Sequence, residues 1–326
     1  MECTLRHLCI SAYAAAATVA LSGCGDGVHA ARGLKPLEVL TFSGKHANGT
    51  LAVAALSGGG TVVSSGGDGT TRIWDVTTGT ETRRFSGPAF HFRSIAFAPD
   101  GKHVLTAPEH AAVRYWTLDG KETREFSGPA GFALTSALSA DGGLAVTAAG
   151  ATIHMWDIAG GRLLRDLPSQ SEVVRVGFGG SGQGVLAVEA SGQVCRWAAP
   201  EYGPPQCFSV GTDPVSRASL SSDGRVALIG TQFGKLELWD VEKQASLLKF
   251  SDLGDEIVSI ALSADGSMAL LGGADKMVRL WNLTTRRQLS QTRGSGSYIS
   301  CVAFSPDGSN AVFGSDDGEV ALWRLR

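Results

Sequence analysis

The side chains that could do chemistry in this chain are few and do not cluster by spacing. Of six cysteines, Cys3 and Cys9 fall in a signal-like N-terminal stretch and Cys24 is a candidate modification site, which leaves Cys195, Cys207 and Cys301, so one thiol is expected to stay unpaired within a monomer. Cys195 and Cys207 flank the turn-rich run PEYGPPQ. A cross-strand disulfide and a pair of buried free thiols are both open to them. Five histidines, His46, His91, His103, His110 and His154, lack metal-ligand spacing and read as surface or loop residues. The repeated Asp-Gly pairs (100–101, 141–142, 223–224, 265–266, 307–308) could suggest calcium, but their fixed place between strand-like runs favours turn chemistry. GFGGSGQG (177–184) has neither the lysine nor the following helix of a phosphate loop and reads as a turn. No Gly-x-Ser-x-Gly, His-Glu-x-x-His or Gly-Lys-Ser/Thr occurs. These readings predict no catalytic residue, no metal and no cofactor.

The elements that would have to position any site announce themselves more clearly. All seven tryptophans, Trp74, Trp116, Trp156, Trp197, Trp239, Trp281 and Trp323, fall at intervals of 40 to 42 residues. Such a period marks internal repetition. Each Trp sits in a short strand-like run, and 14 or 15 residues before it comes an Asp-Gly pair or its Gly-Gly or Ser-Gly replacement. Each unit therefore reads as strand, turn, strand, turn, Trp strand, turn, strand. One position before the apolar residue preceding each turn is small: Ala55, Ala96, Ala137, Gly177, Ser219, Ala261 and Ala303. That is expected where innermost strands crowd around an axis.

Trp74-Asp75, Trp156-Asp157, Trp239-Asp240 and CVAFSPDG (301–308) resemble the WD-repeat β-propellers, over residues 37–326. The resemblance implies an all-β fold of seven four-stranded antiparallel blades in a closed ring. The last unit ends after its third strand, at VALWRLR, while the chain opens with PLEVLTFSG (36–44), whose ending recurs as ETRRFSG and ETREFSG after Trp strands. The N-terminal strand is therefore expected to pair with the C-terminal three and leave no exposed edge. The family often links an Asp in the turn before the Trp strand to a His, a Ser and the Trp. Here the Asp survives only as Asp68, Asp275 and Asp317, so several blades should be held mainly by apolar packing. The fourth unit, with Trp197-Ala198 and Pro200, Pro204 and Pro205, reads as the weakest blade. In the family, the face formed by the loops before the innermost and Trp strands often receives peptides or proteins. By position this places Thr50, His91, Phe132, Glu172, Pro214, Glu256 and Tyr298 around the opening, with Phe132 and Tyr298 as aromatic anchors.

Ahead of the repeats, Arg6 and His7 precede LCISAYAAAATVAL, an uncharged run too short to span a bilayer but suited to a secretory signal. Leu21-Ser22-Gly23-Cys24 follows and resembles the lipobox of bacterial lipoproteins, which implies cleavage before Cys24 and its acylation; the alternative is an ordinary signal peptide with an incidental Cys. The expected organisation is a signal peptide over 1–23, the lipidated Cys and a flexible tether over 24–36, and the propeller over 37–326. A tether of about a dozen residues reaches roughly 20 Å. The formal charge of −3, with no basic run, argues against nucleic acid. The expected function is a monomeric, lipid-anchored, non-catalytic protein-interaction scaffold in the bacterial envelope. Two alternatives are a propeller enzyme of hydrolase or lactonase type with an axial site, and a structural protein without a dedicated ligand.

Overall fold

The computed structural model describes residues 38–56, 60–86, 92–108, 112–126, 133–179, 184–250, 257–294 and 296–325. The signal-like segment and tether lie outside them. Among the described residues, 28 strands form seven four-stranded antiparallel sheets. Six sheets follow chain order; the seventh pairs Val39–Thr41 with the C-terminal strand Val320–Arg324, in register Val39 with Trp323 and Thr41 with Ala321. The expected closure is therefore present. We number as blade 1 the sheet that begins at Thr50 and as blade 7 the one that contains the closing strand. The seven innermost strands neighbour one another in a closed circle, from Thr50–Ala55 of blade 1 round to Ile299–Phe304 of blade 7.

Turn chemistry spaces the strands within each blade. At the Asp-Gly turns Gly101, Gly142, Gly224, Gly266 and Gly308 take φ between 65° and 71°, the left-handed region that glycine enters without steric penalty. In four blades a buried serine two residues before the Asp locks the turn. Ser139, Ser221, Ser263 and Ser305 donate to Asp141, Asp223, Asp265 and Asp307 at 2.6–2.7 Å, and each accepts the N–H of the residue five positions on. These carboxylates are used up in turns, as their spacing implied.

Packing between blades rests on aromatic contacts one blade apart. An outer-strand phenylalanine meets the Trp of the following blade: Phe85 with Trp116, Phe126 with Trp156, Phe208 with Trp239 and Phe250 with Trp281, at ring-centroid distances of 5.4–6.1 Å. Phe42, at the end of the closing strand, meets Trp74 at 5.4 Å, so the chain's beginning joins blade 7 to blade 1 through the same contact. Glu38 and Arg324 add an ion pair at 2.8 Å, and Ser43 N–H reaches the Gly79 carbonyl. The small residues of the innermost strands face the next blade. A Cβ on Gly177 would come within 2.9 Å of Leu220, and Ser219 Oγ accepts the Leu262 N–H.

The tryptophans are not equally buried. Trp74, Trp156, Trp197 and Trp323 are at most 2% exposed, whereas Trp116, Trp239 and Trp281 are half-buried. Removing a fully buried indole costs about 3–5 kcal/mol. Trp74→Ala should lose that much in denaturant melts, because Trp74 also anchors the closure, and Trp239→Ala should lose clearly less. Equal losses would contradict this ranking.

Candidate functional site

The polar interior of blade 1 is a four-residue chain that the loops and strands bring together. Trp74 Nε1 donates to Ser64 Oγ at 2.8 Å, Ser64 meets His46 Nε2 at 2.7 Å, and His46 Nδ1 meets Asp68 at 3.1 Å. Asp68 also accepts from Thr70, the Ala47 N–H and Arg72. His46 is 2% exposed, so it is no surface histidine; the Asp at position 68 signals it, together with Gly44 two residues before His46. Burial lowers the His46 pKa from its ordinary 6.5, more than Asp68 raises it. Burial also pushes the Asp68 carboxyl up, but the bonds from Thr70 and His46 together outweigh it and hold it well below the carboxylate range. The other described histidines are also paired, His103 with Asp100 and His154 with Asp166, at 2.5 and 2.6 Å. His91 and His110 lie outside the described residues.

Around the ring this network thins. Trp116 and Trp156 still donate to Thr106 and Thr147. In blade 6 the corresponding residue is Leu271, and the Trp281 N–H is buried without an acceptor among the described residues. Asp275 holds Arg279, and Asp317 holds Lys45 at 2.8 Å.

Blade 4, expected to be the weakest, carries bonds that the other blades lack. Glu189, fully buried, takes the place of the missing turn Asp: it accepts from Ser169, Ser171, Ser191 and the Gln170 N–H. Cys195 and Cys207 are directly opposite across two strands and are joined by a disulfide, with Cα atoms 4.1 Å apart. The same cross-strand position carries Arg114 and Glu125 in blade 2, His154 and Asp166 in blade 3, and Glu237 and Lys249 in blade 5. A covalent bond thus stands where other blades use an ion pair. Cys301 remains free, and burial pushes its thiol up to about 12, which leaves it a poor nucleophile.

The loop face receives the expected rim residues unevenly. Thr50 is fully buried, its hydroxyl donating to the Glu319 carbonyl, so it forms part of the closure and not of a contact surface. Glu172 and Pro214 are exposed. Tyr298 is half-buried and donates to Asp316 at 2.7 Å. His91, Phe132 and Glu256 lie outside the described residues. Sequence reasoning missed Phe233, which is 71% exposed in the turn of blade 5 next to Pro214, whose carbonyl accepts the Gln232 N–H. Its signal was an aromatic residue at a turn position that carries Asp in three other blades. Among the described residues no three His, Cys, Asp or Glu side chains are grouped to hold a metal ion. A narrow cleft between blades 1 and 2 is lined by apolar residues and threonines, among them Val63, Phe85 and Trp116.

Three stretches, 37–75, 247–282 and 286–324, match the family profile of the WD domain, G-beta repeat. The chain carries WD-type repeats. The matched stretches end on the Trp strands of blades 1, 6 and 7, the blades that keep Asp68, Asp275 and Asp317. Each also takes in outer-strand residues of the preceding blade, the same offset by which the closing strand is displaced. The chain is 36% identical over 69 residues to the nuclear distribution protein PAC1-2 of Uncinocarpus reesii (strain UAMH 1704), a match covering 21% of this chain and 15% of that protein. The likeness is one of repeats.

Two outcomes test this description. His46 stays neutral in the fold while the unfolded chain takes up a proton near pH 6.5, so stability should fall as pH drops through and below that value. Comparing thermal melts at about pH 7.5 and about pH 5.5, the drop should shrink in His46→Gln. Secondly, residues 37–326, unfolded without reductant, should titrate one thiol, that of Cys301, and three after reduction; more than one beforehand would remove the bridge.

Proposed function

We propose that this chain is a membrane-tethered propeller that presents its loop face to protein partners in the bacterial envelope. WD-repeat propellers typically serve as protein-interaction scaffolds, and that general role is the starting point. The observation that carries the reading for this chain is Phe233, a large apolar side chain left in solvent on a face whose neighbours Pro214 and Glu172 are also exposed. An isolated phenylalanine in water forgoes about 1.5–3 kcal/mol of burial, which a partner would recover. Aromatic anchors of this kind dominate binding hot spots. Phe132 and Tyr298 are assigned to the same face as further anchors.

The tether rests on sequence alone. The lipobox-like Leu21-Ser22-Gly23-Cys24 supports export and acylation at Cys24. Several acyl chains, at about 0.8 kcal/mol per buried methylene, would hold the domain on a membrane without a spanning helix.

Crosslinking in intact cells followed by purification of the tagged full-length chain tests both halves. The chain should fractionate with membranes, and Cys24→Ala should abolish lipid attachment. One abundant envelope protein should co-purify, and Phe233→Ala combined with Tyr298→Ala should reduce its yield by about tenfold with little change in the melt. Recovery of the wild type in the soluble fraction, or a yield unaffected by the double variant, would overturn the corresponding half.

A further inference from the structure

The third position of the innermost strands stitches each blade to the next in most of the ring. Ser94 Oγ accepts the Ser136 N–H at 3.0 Å, and Thr135 Oγ1 accepts the Val176 N–H at 3.4 Å. Arg217 Nε donates to the Val258 carbonyl at 2.5 Å, and Ser259 Oγ donates to the Ile299 carbonyl at 3.2 Å. Blade 4 breaks the series. Its residue here is Arg175, two positions before Gly177 and so directed like it toward blade 5. Arg175 has no hydrogen-bond or ion-pair partner among the described residues, and its Nε is buried without an acceptor. Burial alone pushes its guanidinium below the usual value, with no carboxylate to counter it. Glu172, three residues earlier, is exposed and does not compensate it.

A guanidinium whose Nε is buried without an acceptor is costly, and an acidic side chain facing it would relieve the cost. Among the described residues none acts on it: Glu189, on the adjoining strand of blade 4, is taken up by Ser169, Ser171 and Ser191. The seven innermost strands contain Arg93, Arg175 and Arg217 and not one Asp or Glu, in a chain whose overall charge is −3. Two of these arginines, Arg175 and Arg217, face the seams from blade 4 to blade 5 and from blade 5 to blade 6. Arg175 as a whole is half-buried, which leaves part of its side chain within reach of a ligand. It lies near the strand end that follows Glu172, on the side of the loop face.

We propose that Arg175 receives a carboxylate side chain of an acidic segment in a protein partner, inserted between the innermost strands of blades 4 and 5. A guanidinium presents a planar fork of donors that a carboxylate meets with two parallel bonds. Exposed Phe233 of blade 5 would take an apolar neighbour of the inserted acid. The inference rests on the loop face being the partner surface; the partner's protein nature comes from that reading, and its acidity from Arg175.

Fluorescence anisotropy of the full chain with a labelled hexaglutamate peptide tests it. Binding should weaken with added salt, be absent for hexaserine, and lose about tenfold or more in Arg175→Gln. Arg175→Gln should melt no lower than wild type, since it removes an unsatisfied charge. Equal affinity in wild type and Arg175→Gln, or no binding by wild type, overturns the proposal. So does displacement of the peptide by inorganic phosphate at equal concentration, which would assign the site to a free oxyanion. The platform reading fails separately: there the co-purified protein would be indifferent to Phe233→Ala with Tyr298→Ala, whatever hexaglutamate does.

Discussion

The contact between an outer-strand aromatic ring and the indole of the next blade is what turns seven separate sheets into one ring. Each sheet alone is a four-stranded antiparallel unit with two faces to cover, and neither face can be buried except against a neighbour. Phe85, Phe126, Phe208 and Phe250 cover the following Trp in this way, and Leu167 shares the core cluster of Trp197. Such a chain of contacts has no natural end. It is stable only if the last sheet meets the first, and Phe42 on Trp74 performs that step with the geometry of all the others. The closing strand is only three residues long, yet Phe42, Lys45 and His46 beyond it bond to blades 1 and 7 together. Closure is therefore a matter of side-chain packing as much as of strand pairing.

Given that frame, the polar networks can diverge from blade to blade. Apolar contact supplies the common stabilisation, so each blade needs only to satisfy whatever polar groups its own sequence buries. Blade 1 does so with the chain from Trp74 to Asp68. Blade 4 gathers serines from its own loops on Glu189 and carries a disulfide at the position of an ion pair in three other blades, yet leaves Arg175 Nε without an acceptor among the described residues. Blade 6 leaves the Trp281 N–H without an acceptor among the described residues. Loss of repeat residues in one blade is thus not loss of structure there.

Much of the architecture could be read in the sequence because it depends on period. The Trp spacing and Asp-Gly turns give strand count, blade count and the displaced first strand without reference to any single contact. What could not be read is compensation. Nothing in the spacing of Glu189 distinguishes it from a surface acid; only the three-dimensional meeting of Ser169, Ser171 and Ser191 around it does. Thr50 shows the reverse error, since position alone put it on the rim, while its hydroxyl turns inward to the Glu319 carbonyl. The histidines were misjudged for the same reason: burial of His46 and His154 depends on strands far apart in the chain. Phe233 was overlooked because the pattern directed attention to an absent Asp and not to the residue that replaced it.

The Asp after Trp is missing from blades 2, 4, 6 and 7 alike, but blades 4 and 5 together hold the disulfide, exposed Phe233, and the two arginines of the inner wall that face a following blade. A guanidinium whose Nε is buried without an acceptor among the described residues destabilises the packed strands around it. Replacing Arg175 by a serine or threonine, as in blades 2, 3 and 6, would restore a bond to the next blade at little steric expense. With Phe233 exposed on blade 5, an unsatisfied polar group and an uncovered apolar one fall on two consecutive blades. That pairing of an uncompensated cation with an uncovered ring is the physical reason to look for the ligand at blades 4 and 5 and not around the whole circumference.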